Sequence, residues 1–99
     1  MSRDTDVPSD RDTVATIRLR QERFELMTRV VGATTVAGRA ELIGVDRKTM
    51  TRVLNGRQRI GEVFMASTVS ALRRHRAELA ACGLTPSLDE LFEVEDVAA

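Results

Sequence analysis

The apolar positions of this chain recur with two periods, and the periods divide it into elements. Between residues 21 and 31, Phe24, Met27, Val30 and Val31 form one stripe at helical spacing, with Leu26 at its margin. Gly32 follows as a stop. Residues 36–43 and 47–55 read as two short helices, with Thr35 and Asp46 as N-caps and Gly44 and Gly56 as terminators. A longer helix is expected from 62 to about 82. Its stripe runs through Phe64, Met65, Thr68, Leu72, His75 and Leu79, with Val69 and Ala71 at the edges. Gly83 ends it, and Leu84 is placed to close back on Leu79 in a Schellman cap. A last short helix lies within 85–92. Either Ser87 caps it, in a capping box with Glu90, or Pro86 takes its first position after Thr85. Leu88, Leu91 and Phe92 are expected to fold back on the core, with a dimer contact as the alternative.

Residues 16–20, Thr-Ile-Arg-Leu-Arg, alternate with the period of a strand. So short a strand needs a partner. The segment is either an extended arm packed on the helices, a strand paired with its symmetry mate, or the opening of the next helix. Residues 1–12 are polar, charged and interrupted by Pro8, which predicts a disordered tail. Residues 93–99 are acidic and read as a frayed tail. The fold expected is all-α, a single domain of five helices over 13–92, with a short extended arm at Ile17 to Arg20 as its one variant.

Residues 36–56 organise this plan. Gly44 supplies the left-handed conformation of a tight corner, Val45 is an apolar plug, and small Ala40 lets the two helices approach. On the second helix Met50, Val53 and Leu54 share one face. Lys48, Arg52 and Asn55 lie opposite, with Thr51 beside them, and Arg47 in the first turn swings the same way. Such a helix is held by its apolar side and offers cations and amides outward, the geometry that enters a DNA major groove. The bland alternative is a solvated amphipathic helix. The spacing of Ala40, Ile43, Gly44, Val45, Met50 and Val53 favours the helix-turn-helix.

These residues, with Arg47 to Met50 and Arg52-Val53-Leu54-Asn55-Gly56, resemble the phage Cro and lambda-repressor-like family of helix-turn-helix regulators, also called the XRE type. The likeness covers roughly 24–92 and continues with less specificity into Leu88-Asp89-Glu90-Leu91-Phe92. It departs at Arg39, where the family often carries a leucine; Val36 is the candidate for the missing apolar contact. The resemblance implies a transcriptional regulator, a repressor of the phage or mobile-element kind. Arg47, Lys48, Thr51 and Arg52 are the base-reading candidates. Thr34, Thr35, Asn55, Arg57 and Arg59 are the phosphate candidates, the threonines because a helix N-terminus offers free N–H groups.

Composition changes this picture in one respect. The 99 residues carry no net charge, which argues against a DNA binder until the charges are placed. Residues 16–76 hold 13 basic and 5 acidic side chains, a net +8, and the flanks hold −8. A basic centre between acidic ends meets the electrostatic requirement for phosphate binding. Absence of Trp and Tyr removes the strongest stacking groups for single strands, so duplex DNA is the better target.

No nucleophile–base pair, phosphate-cradling loop or metal-ligand set is present in the sequence, so no enzyme, cofactor or metal is expected. Cys82 is alone and is read as packing near a helix end rather than as a reactive thiol. His75 is read as a boundary histidine. No apolar run spans a membrane and no signal pattern is visible, which predicts a cytoplasmic protein without membrane contact. Two functions remain. One is the DNA-binding regulator, acting as a monomer or as a homodimer. The other is an antitoxin-like or adaptor module that holds a protein partner through its acidic C-terminal segment.

Overall fold

In a computed structural model, which describes residues 13–98, the chain runs strand, six helices, strand. The elements are β1 (Thr13–Leu19), α1 (Gln21–Val30), α2 (Val36–Ile43), α3 (Arg47–Leu54), α4 (Glu62–Arg73), α5 (Arg76–Ala81), α6 (Leu88–Leu91) and β2 (Phe92–Ala98). The expected tail 1–12 lies outside the described residues.

The all-α, five-helix expectation is corrected. β1 and β2 pair antiparallel from Thr13 opposite Ala98 to Leu19 opposite Phe92, so the fold is α+β. The arm at Ile17 to Arg20 is the inner end of a strand, and its partner is the chain's own C-terminal segment. That acidic segment, read as a frayed tail, is β2. Two physical causes fix the pairing. Opposed residues share a face, so Leu19 with Phe92 and Ile17 with Val94 make one apolar side. On the other side Arg18 meets Glu95 at 3.1 Å and Arg20 meets Glu93 at 3.6 Å, both diagonally across the strands. These pairs are half-exposed and individually weak, but a one-residue slip would break the apolar pairing and the ion pairs together.

The expected long helix over 62–82 is also interrupted. Its backbone turns at Arg74 and His75, where His75 N–H donates to the Leu72 carbonyl at 2.9 Å. Residues 73–76 are all cationic or histidine and offer no apolar side chain to hold a straight helix to the core. The bend seats Leu79, which is fully buried. His75 is half-buried, with Nδ1 2.7 Å from Glu78 Oε1. Gly83 (φ 73°) and the Leu84 N–H to Leu79 carbonyl bond of 2.9 Å form the expected Schellman cap. Cys82, expected to pack, is exposed.

The core is built from Phe24, Met27, Ile43, Met50, Phe64, Leu72, Leu79, Leu91 and Phe92. Phe64 of α4 and Phe92 of β2 meet edge to face, 6.3 Å between centroids, so the sheet is pinned to the helical body at its inner end. Leu88 does not fold back with Leu91 and Phe92. It is 53% exposed, because α6 is a single turn and only one side of it reaches the body.

Candidate nucleic-acid interface

α2 and α3 form the corner on which the site depends. Thr35 Oγ1 accepts from Gly38 N–H at 2.9 Å and starts α2; Asp46 Oδ1 accepts from Thr49 N–H at 2.7 Å and starts α3. Between them Gly44 takes φ 91°, which a residue with a Cβ adopts only with strain. Ala40 and Ile43 of α2 are buried with Met50 and Val53 of α3, which fixes how α3 is rotated. Arg39, at the position where the resembled family often has leucine, spans to α1 instead. Its Nε donates to Thr28 Oγ1 at 3.0 Å, while Val36 packs half-buried against the core.

With Met50 and Val53 turned inward, the opposite side of α3 is open. Arg47, Lys48, Thr51, Arg52, Asn55 and Arg57 line one shallow depression. All four base-reading candidates are there, with two of the phosphate candidates. Arg59 is not. It lines a neighbouring groove with Arg57, between the loop after α3 and β1, where Arg18, Gln21 and Glu95 form the other wall. Thr34 and Thr35 are exposed at the α2 N-terminus, outside that depression.

The charges of the site are uncommitted. Among the described residues, Arg18, Arg20 and Arg23 each meet a glutamate, whereas Arg47, Lys48, Arg52, Arg57 and Arg59 make no ion pair. Asp46 caps the helix that carries the site. Its hydrogen bonds from Thr49 lower its pKa below the ordinary 3.8, and Lys48 and Arg52 add to the shift, so it stays ionised as a cap. The depression therefore presents guanidinium and ammonium donors, with Thr51 and Asn55 as mixed donors and acceptors.

One supporting residue escaped the sequence reading. The Gln21 side-chain amide donates to the Leu54 carbonyl, one of the otherwise unbonded carbonyls at the α3 C-terminus. The partners lie 33 positions apart, and nothing local signals the contact. It ties the end of α3 to the first turn of α1, directly after β1.

Comparison with protein-family models, with curated proteins and with solved structures finds no match. Among the described residues no cluster of His, Cys, Asp or Glu could hold a metal ion, and no helix is long and apolar enough to cross a membrane.

Proposed function

We propose that this chain is a sequence-specific double-stranded-DNA-binding regulator of transcription, a repressor of the Cro and lambda-repressor-like type, that reads the major groove with α3. One observation carries the reading: six polar side chains, four of them cationic and unpaired among the described residues, surround a single depression on a helix whose inner face is locked by Met50 and Val53. Arg47, Lys48, Thr51 and Arg52 are the base-readers. Asn55, Arg57 and Arg59, with Thr34 and Thr35, are the phosphate contacts. The adaptor reading draws less support, because Glu93 and Glu95 of the acidic segment are already engaged with Arg20 and Arg18 inside the ribbon.

Arg52 and Arg57 provide the test. Arg52 projects from α3 itself, and a base-reading arginine carries about 1–3 kcal/mol of discrimination. Arg57 lies past Gly56, in a loop that favours the backbone. A cognate site is first selected from a library of random duplexes. On that site and on random duplex, Arg52→Ala is expected to lose affinity mainly for the cognate. Arg57→Ala should weaken both about equally and lower the salt slope by about one. If no sequence is enriched, or if neither substitution changes binding, the proposal fails.

A further inference from the structure

The cations at the end of α4 are as uncommitted as those of α3. Arg73, Arg74 and Arg76 are close in sequence and all exposed, and among the described residues none of them meets a carboxylate. Glu78, the nearest acid in sequence, is turned to His75. The change of backbone direction at Arg74 and His75 gathers the three around one end of the helix. Like charges held this close repel, so the cluster brings the fold no stability. The helix dipole accounts for Arg73, which lies in the last turn of α4. It does not account for Arg76, which opens α5, where the dipole favours an acid.

Beside the cluster the surface is apolar. An open depression is lined by Ala66 and Val69 of α4, by Leu88 of α6 and by the three arginines. Val69 is buried, whereas Ala66 and Leu88 are exposed. This depression shares no residue with the one on α3. A phosphate backbone would meet the arginines but offer nothing to Leu88. An acidic peptide answers both halves of the surface. Its carboxylates accept paired N–H donors from guanidinium groups. One large apolar side chain of the peptide covers Leu88 and Ala66, as anchors do when a peptide lies in a groove.

We propose that this depression is a docking site for a protein partner: an acidic segment that carries a leucine, isoleucine or phenylalanine. The apolar side chain seats between Leu88 and α4, and the carboxylates lie on Arg73, Arg74 and Arg76. The arginines steer and orient the segment, and the covered apolar surface holds it. So small a patch binds transiently, with Kd in about the micromolar range or above. The inference does not depend on DNA reading, and its test uses no DNA.

The full chain is used to select binders from a displayed library of random short peptides, and each enriched peptide is labelled and titrated by fluorescence anisotropy. Enriched sequences should combine acids with a large apolar residue. Arg76→Glu should weaken their binding by at least about fivefold, and Leu88→Ser by about fivefold. Glutamate suits the first position of α5 and Leu88 is exposed, so neither substitution should lower the melting temperature. Lys48→Glu makes the same charge change on an exposed residue of α3 and should weaken binding by no more than about twofold. No enriched peptide, an enriched set without acids, or equal effects of Arg76→Glu and Lys48→Glu overturns the proposal. So does binding indifferent to Leu88→Ser. Sedimentation equilibrium of the chain alone and co-sedimentation with phosphatidylglycerol vesicles test the other occupants. Self-association or vesicle binding that Leu88→Ser abolishes would give the depression to a second copy or to a membrane, and would overturn the proposal as well.

Discussion

Met50 shows how one side chain sets both stability and orientation. It is fully buried on a helix of eight residues whose other side is polar and exposed. Truncation to alanine removes three heavy atoms from a site bounded by α2 and the core, and the vacated space refills only in part. Met50→Ala is therefore expected to destabilise the domain by about 2–5 kcal/mol, read from the urea midpoint at unchanged slope. An unaltered midpoint would mean that α3 is rotated differently. Such inward residues were legible because helical spacing makes Met50 and Val53 neighbours whatever surrounds them. Leu88 was not: spacing put it with Leu91, but a one-turn helix has no second turn to draw its other side inward. Gln21 was not legible either, because its partner carbonyl is local to another helix.

At the level of elements, short-range chemistry was readable and long-range pairing was not. The caps at Thr35, Asp46 and Ser87 and the left-handed glycines all involve partners within a few residues. Ser87 Oγ accepts from Glu90 N–H at 3.3 Å, but the Glu90 carboxylate turns to Arg23 at 3.5 Å rather than completing the capping box. β2 is not legible locally, because Phe92 reads as the end of the preceding helix and Glu93, Glu95 and Asp96 read as a solvated acidic tail until Arg18 and Arg20 face the two glutamates. The interruption after α4 had no glycine or proline to announce it. Asp46 gives the element-scale prediction. Its pKa is lowered in the folded chain, so its cap contributes fully above the unfolded value near 3.8 and is lost as pH falls through the lower folded value. Asp46→Asn, which keeps a capping oxygen, should flatten the stability-versus-pH curve in that acid window and leave its shape at pH 5–8 unchanged. Thermal melts at stepped pH measure this; parallel curves for both proteins would assign the acid sensitivity elsewhere.

Across the whole molecule, the segregation of charge along the chain becomes a partition in space. Arg18, Arg20 and Arg23 of the basic centre are drawn to Glu95, Glu93 and Glu90 of the acidic end. Among the described residues the cations of α3 and the following loop are left over, as are Arg73, Arg74 and Arg76, so a chain without net charge still shows uncommitted basic surface. The same closure of the two ends bears on how the protein forms. Arg18 and Glu95 are separated by 77 positions, whereas the α2–α3 corner closes within a few. Bringing distant segments together costs entropy that only later contacts return. The helical body is therefore expected to assemble first, with the ribbon zipping on after the rate-limiting step. Ile17→Ala should accordingly speed unfolding and leave the folding rate nearly untouched. Stopped-flow chevrons would show this as a displaced unfolding limb alone. A slowed folding limb would instead put the ribbon in the nucleus. On that order the ribbon is also expected to be the first part of the molecule to open and the last to close.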